Sequence, residues 1–525
     1  MAEQVAWMPA RRPYPIFMSA AALYFASVGL QGVIFSALVV FELKADPIWV
    51  GTAQSALMVP SLFFVLIGGH IADLVDRRRL LIGLCVAAGI LSLTLLGVVA
   101  SGGLTLGVVI AYALAAGTVQ AFIMPARDSM LSDMTDRDLT NAVAGLLLAQ
   151  WGSQAVGALI GSTASFVGIE VVIVAHAALL FGGIPLLILL PASRAIRQGA
   201  AEPVLHAVLG GLREVLRTPV LRIPFLLAFS VGIFAIGPYI VVMPVLVRNY
   251  YGGGVGELGL INTAFPLGTI AGSMIVLRRG IRRKGRAQGL ALAFSASCLL
   301  VIAAGIPFYA TLLCVVLWGT SGAIFMNAGR SIFQEKAPAS HRGRVLSVYT
   351  LGFMGASGLI GAPLFGALLD WIGTHAALAV AAAGTLTTVS TVFLLGGFRI
   401  VDLATAVAAP ELAQAGAEDE TPSMALHQDP FFVITGNRTQ EGSVVYLAAD
   451  GSWAAKLQEA EAFADAAQAD ARLHIVAAAQ AVVTEPYRFE AARTAEGILP
   501  ISAREELRAQ GPSTRLRRPD GKGAI

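Results

Sequence analysis

Gly69-His70-Ile71-Ala72-Asp73-Leu74-Val75-Asp76-Arg77-Arg78-Arg79 is a short charged run between two long apolar stretches. Residues 48–72 before it and 80–100 after it contain no Asp, Glu, Lys or Arg. Each flank has about the 20 residues that a helix needs to cross a bilayer. Three arginines between two such flanks read as a loop held on one side of a membrane.

Working outward, twelve stretches meet the length requirement, approximately 16–41, 48–72, 80–100, 104–124, 139–166, 171–190, 224–247, 256–277, 288–306, 308–328, 346–369 and 375–397. In lipid the backbone must satisfy its own hydrogen bonds, so these are expected to be helices. Pro60, Pro185, Pro238, Pro244, Pro266 and Pro363 fall inside them, which membrane helices tolerate as kinks.

The 525 residues are 56% hydrophobic and 13% charged, about half the usual charged fraction of near 25%. The net charge of +3 conceals a division. Residues 1–400 hold 25 Lys+Arg against 15 Asp+Glu, whereas residues 401–525 hold 11 against 18. Of the 25 basic residues in the first part, 23 fall in one alternating set of segments, and only Lys44 and Arg248 fall in the other. The positive-inside bias then puts both termini in the cytoplasm. It also leaves no basic residue expected inside a helix core.

Several classes are excluded. The arginines punctuate apolar runs and build no basic face, so no nucleic acid is an expected partner. Cys85, Cys298 and Cys314 sit in apolar runs without bridge or metal spacing. The first apolar run is too long for a signal peptide and is followed by others, against a secreted soluble protein. No phosphate-binding loop, nucleophile elbow or H-E-x-x-H pair occurs, so no cofactor, metal or enzymatic activity is expected.

Gly117-Thr118-Val-Gln-Ala121-Phe-Ile-Met124-Pro-Ala126-Arg-Asp-Ser129 ends the fourth stretch, and Gly319-Thr320-Ser-Gly-Ala323-Ile-Phe-Met326-Asn-Ala328-Gly-Arg-Ser331 ends the tenth. Six positions agree at a constant offset of 202 residues. This predicts an all-α membrane protein of twelve helices in two six-helix repeats, the halves being 1–192 and 223–400. Residues 193–222 form a central cytoplasmic loop, with apolar residues at helical spacing from Val204 to Leu216. That helix is expected on the membrane face. In such repeats the substrate site lies near the midplane between halves.

Polar residues repeat on single faces of the spans. Tyr24, Ser27 and Gln31 share one face of the first, and Asn262 and Thr269 share one face of the eighth. Gln120, Gln150, Gln154, Tyr239 and Asn327 complete the candidates for a substrate cavity. Each of these could equally bond a neighbouring helix. Glu42, Glu170 and Asp370 sit at outer helix ends, so no carboxylate is placed for a midplane proton site. His176 could titrate there or serve only packing.

The opening stretch resembles the signature of the major facilitator superfamily, G-x-L-A-D-R-x-G-R-K/R. The resemblance implies alternating access, with Gly69, Asp73, Asp76, Arg77 and Arg78 in a cytoplasmic latch. Pro125-Ala126-Arg127-Asp128 and Arg342-Gly343-Arg344-Val345 look like a branch of drug and siderophore exporters, the transmembrane secretion effectors, similar to enterobactin exporters. Arg127, Asp128, Arg342 and Arg344 join the implied latch. Leu74 and Asp76 replace the family's Arg and second Gly, and the fifth span has Gly157-Ala158-Leu159-Ile160-Gly161 without the exporters' Gly-Pro.

The resemblance implies a multi-pass protein of the bacterial inner (cell) membrane that exports small organic molecules. A proton or another ion is the candidate coupling partner. An uptake transporter of the same fold, or a solute sensor signalling through its tail, are the alternatives.

Residues 401–428 read as a linker, 429–517 as a small cytoplasmic α+β domain and 518–525 as a tail. Strands are expected at 431–434 and 444–447, a helix from Trp453, a second near 463–480, a strand near 481–490 and a short helix from Ser502. This part resembles a small uncharacterised bacterial domain often encoded beside sulfite reductase.

Overall fold

The computed structural model describes residues 13–134, 139–191, 204–337, 342–406, 431–438, 444–477, 483–494 and 497–500. They fall into two units, Met1–Glu411 and Leu412–Ile525.

The first unit is helical. In chain order it contains α1 (Pro13–Ala37), α2 (Pro47–Leu74), α3 (Arg77–Ala100), α4 (Leu106–Asp133), α5 (Leu139–Ser162), α6 (Ala164–Val167) and α7 (Ile169–Ile188). There follow α8 (Val204–Arg217), α9 (Pro219–Val231), α10 (Gly237–Asn249), α11 (Val255–Arg279) and α12 (Lys284–Ala303). The last are α13 (Phe308–Lys336), α14 (Arg342–Ala356), α15 (Ala362–Leu394) and α16 (Gly397–Ala406). Wider π turns extend α1 at Leu38–Glu42, join α9 to α10 at Gly232–Ile236, and join α14 to α15 at Ser357–Gly361.

Among the described residues, nine helical segments are long and apolar enough to cross a membrane. Two of the sequence-predicted spans, 346–369 and 375–397, overlap one 47-residue segment, Val348–Leu394. This segment breaks at Gly373, whose φ of +77° is a left-handed conformation natural to glycine. The predicted second and fifth spans are the helices α2 and α5. Leu290, Leu313, Ile90 and Phe393 are exposed on the outside of the bundle, a surface that suits lipid better than water. Trp49, Phe166, Tyr250, Tyr309 and Trp371 are exposed at the Lys/Arg-poor helix ends, as in an interfacial aromatic belt.

Small residues let the helices touch. A side chain at Gly117 on α4 would overlap the Leu57 carbonyl on α2, and one at Gly319 on α13 would overlap the Phe265 carbonyl on α11. The matched threonines also agree, since Thr118 and Thr320 each donate to the carbonyl four residues back.

The opening stretch is mostly helix rather than loop, because α2 runs through Asp73 to Leu74 and only Val75 and Asp76 break it. Asp76 is the N-cap of α3 and accepts from the Arg78 and Arg79 amides at 3.0 and 3.4 Å, satisfying donors that a helix start leaves free. The start of α12 is capped from a distance. Asp402 on α16 accepts from the Gly285 and Arg286 amides at 2.8 and 3.3 Å. The amphipathic α8 packs on α14 and α9 with Val215 buried, so part of its apolar stripe belongs to the bundle core.

The second unit is an antiparallel sheet in the order β3-β2-β1-β4-β5. Its strands are β1 (Phe431–Arg438), β2 (Val444–Leu447), β3 (Trp453–Ala454), β4 (Val483–Thr494) and β5 (Gly497–Pro500), with the helix α17 (Ala466–Ala477). Val433, Tyr446 and Ile498 bury in one cluster, and Ile434, Leu447 and Phe463 in another. Trp453 pairs with Leu447 in β3 and does not start a helix. Gly451 at φ +84° turns the chain back at that point, and an Asp-Gly pair favours such a hairpin. The helix expected from Ser502 lies outside the described residues.

Candidate translocation site

Helices within 13–188 touch helices within 219–394, through Ser357 Oγ and Met58 Sδ at 3.5 Å among others, and several of these contacts lie at one end. At the Lys/Arg-poor end, Arg248 Nη1 donates to the Val40 carbonyl at 2.7 Å, and the Ile48 amide donates to Asp370 Oδ2 at 3.1 Å. Gly259 on α11 lies against Ser162 on α5, and Gly366 on α15 lies against the Pro47 carbonyl. Deeper along the spans, Thr263 Oγ1 donates to the Ala155 carbonyl at 3.5 Å.

In mid-span four aromatic rings from four helices approach one another. Phe265 on α11 lies 4.9 Å from Tyr239 on α10, 5.9 Å from Trp318 on α13 and 6.4 Å from Trp151 on α5. Tyr239 meets Trp318 edge-on at 5.7 Å. Trp318 is buried, while the other three rings are half-buried. The Tyr239 hydroxyl donates to Asn262 Oδ1 at 3.4 Å, and Asn262 Nδ2 donates to the Leu258 carbonyl. This group offers ring faces for stacking beside an amide and a phenol for hydrogen bonding.

The other candidates divide. Tyr24, Ser27, Gln31 and Gln120 line one cavity inside the first set of helices, together with Tyr112 and His176. The Thr269 hydroxyl donates to the Phe265 carbonyl on its own helix, and Asn327 Nδ2 to the Ala323 carbonyl. Thr269 Oγ1 also lies 3.5 Å from the Gly319 carbonyl on α13, so both side chains meet backbone carbonyls. Gln150 and Gln154 are half-buried on α5.

The expected latch is partly described. Arg78 Nη1 donates to the Leu190 and Ile188 carbonyls at 2.7 and 3.4 Å, closing the C-terminal end of α7. There a cation also meets the negative end of the helix dipole. Arg77 is buried. Gly69, Asp73, Arg342 and Arg344 lie in helices, but their side chains fall outside the described ones.

Arg127 corrects the expectation that no helix core carries a basic residue. It is only 6% exposed, within α4. Its guanidinium sits 4.6 Å from the Phe25 ring centre and pairs with Asp128 at 2.7 Å. Sequence reasoning missed Trp151, Phe265 and Trp318. Phe265 lies three residues after Asn262, on the face already marked as polar.

A bundle of apolar helices with an internal polar and aromatic seam defines a membrane-embedded transporter fold. The major facilitator superfamily profile matches residues 17–359, and the chain belongs to that family. A second profile, described as a protein of unknown function (DUF2849), matches residues 432–517.

Among solved structures, the nucleoside transporter NupG aligns with TM-score 0.59 at 12% identity, over 73% of this chain and 98% of its own. The POT family transporter PepTSo aligns with TM-score 0.60 at 12% identity, over 75% and 99%. A bacterial homologue of the human lysosomal transporter Spinster, in an inward-facing and unoccupied conformation, aligns with TM-score 0.56 at 13% identity, over 76% and 98%. These likenesses establish the fold. No curated protein sequence matches the chain.

Proposed function

We propose that the chain is a twelve-crossing secondary active transporter of two six-helix halves, exporting small organic molecules by alternating access across the bacterial inner membrane. Helices α2 and α5, the nine candidate spans and the division of the 47-residue segment at Gly373 support the count. The matched Gly117 and Gly319 contacts support the repeat. With both termini cytoplasmic, the joined end faces outward.

The carrying observation is the ring cluster, to which α5 contributes Trp151 and α10, α11 and α13 contribute Tyr239, Phe265 and Trp318. A site built by both halves is exposed alternately as they rock. Its chemistry favours a flat, uncharged aromatic solute with a polar edge, since no carboxylate or cation is described among these rings. Export rests on the likeness of Pro125–Asp128 and Arg342–Val345 to drug and siderophore exporters. The Asp73, Arg342 and Arg344 latch at the other end is part of the same proposal.

Right-side-out and inverted membrane vesicles containing the full chain test it with a panel of labelled aromatic compounds. Accumulation in inverted vesicles alone is expected. Accumulation in right-side-out vesicles alone would reverse the direction, and accumulation in neither would overturn the transport reading.

A further inference from the structure

The two halves use the arginines of their Lys/Arg-rich ends differently. Between α2 and α3 they are turned to the protein itself. Arg77 is buried, Arg78 donates to the Leu190 carbonyl, and Arg79 lies 3.9 Å from Asp76. Between α11 and α12, residues 278–286 hold Arg278, Arg279, Arg282, Arg283, Lys284 and Arg286 and no acidic residue. Lys284 pairs with Glu335, and Arg286 with Asp402. The other four arginines are exposed, and among the described residues none of them forms an ion pair. Arg278 and Arg279 end α11, where the helix dipole favours a cation. Arg282 and Arg283 instead precede the start of α12, the positive end of its dipole, so their charge is uncompensated there.

Exposed apolar side chains flank this charge. Leu277 precedes it on α11 and is 73% exposed. Helix α16 lies beside it, because Asp402 accepts from the Gly285 and Arg286 amides and the Phe398 ring packs on Gly289. The inner face of α16 buries Phe398, Val401 and Thr405, while Arg399, Ile400 and Leu403 face outward. Gly396, at φ +70°, turns the chain from α15 into this helix. An outer face that joins apolar residues to an arginine suits the boundary between lipid headgroups and acyl chains.

We propose that this surface binds the headgroup of an anionic phospholipid in the leaflet at the Lys/Arg-rich end. The guanidinium groups of Arg278, Arg279, Arg282 and Arg283 hold the phosphate, for whose oxygens a planar fork of N–H donors is matched. The acyl chains lie along Leu277, Ile400 and Leu403. This apolar flank selects an amphiphile over a soluble anion or an acidic peptide. The surplus positive charge selects an anionic headgroup over a zwitterionic one.

Native mass spectrometry of the full chain released from micelles tests this. Phosphatidylglycerol and phosphatidylcholine with the same acyl chains are supplied in equal amounts, and preferential retention of phosphatidylglycerol is expected. An arginine beside an anionic surface strengthens binding about fivefold. The combined variant Arg278→Gln, Arg279→Gln, Arg282→Gln and Arg283→Gln should therefore lower retention at least about tenfold. The pair Arg282→Gln and Arg283→Gln alone should lower it severalfold, and Arg79→Gln by less than about twofold. The four side chains are exposed and unpaired, so circular dichroism should show the helices intact. Equal retention of the two lipids, undiminished retention by the combined variant or an equal loss in Arg79→Gln would overturn the proposal. Displacement of the lipid by soluble glycerol 3-phosphate would also overturn it, in favour of a soluble phosphate ligand. Lipid retention is read without a cargo, so it can fail separately from the transport reading.

Discussion

Asn262 and Phe265 occupy one face of α11, and their surroundings give them different work. Asn262 is held by the Tyr239 phenol and its own helix, while Phe265 meets three rings. An aromatic contact contributes about 0.5–1.5 kcal/mol beyond its buried area. Phe265→Ala should therefore raise the KM for an aromatic cargo about two- to tenfold, read in vesicle uptake. Thr269→Val removes a hydroxyl that meets only backbone carbonyls, Phe265 on its own helix and Gly319 on α13, and should change that KM by less than about twofold.

In the second unit, hydrogen bonds from the Ser452 hydroxyl and amide hold the Asp450 carboxyl below the usual aspartate range. A depressed carboxyl pKa favours the folded turn above the unfolded value, and the effect fades as pH falls through the folded one. Carboxyl NMR should show the Asp450 titration moving upward in Ser452→Ala.

At the scale of elements, close helix contact governs the bundle. A side chain at Gly157 on α5 would overlap the Ala26 carbonyl on α1, whereas Gly97 on α3 faces open space. Gly157→Val should destabilise by about 1–3 kcal/mol. Gly97→Ala should be neutral or stabilising by up to about 1 kcal/mol. Thermal melting of the full chain in detergent orders the two.

The long apolar helices were legible because lipid imposes one rule on every crossing segment. The site was less so. Tyr24, Ser27, Gln31 and Gln120 were found as polar residues in apolar runs, and the structure gathers them in one cavity. Trp151, Phe265 and Trp318 were not, because an aromatic ring in an apolar helix has the same sequence signature whether it faces lipid, core or cargo. The burial of Arg127 was not legible, because α4 runs on to Asp133, past the apolar stretch that marked it. Trp453 lies in a hairpin and not a helix, because the same Asp450-Gly451 pair that can lead into a helix here bends the chain back onto β2.

At the scale of the molecule, the two sets of helices meet through Arg248, Asp370 and packed glycines at the Lys/Arg-poor end, with the ring cluster between them. Alternating access requires these end contacts to part as the opposite ends close. The π turns at Gly232–Ile236 and Ser357–Gly361 touch through Gly361 and the Gly232 carbonyl, and sit where the second half would bend. Pulsed electron–electron resonance follows this movement once the cysteines Cys85, Cys298 and Cys314 are replaced. Spin labels at Ile48 and Asp370 report one end, and labels at Arg79 and Arg286 report the other. Two populations are predicted, in which a short distance at the first pair accompanies a long one at the second and the reverse, with pH shifting their ratio. Single fixed distances at both ends across pH 5 to 8, or distances that lengthen together, would contradict alternating access.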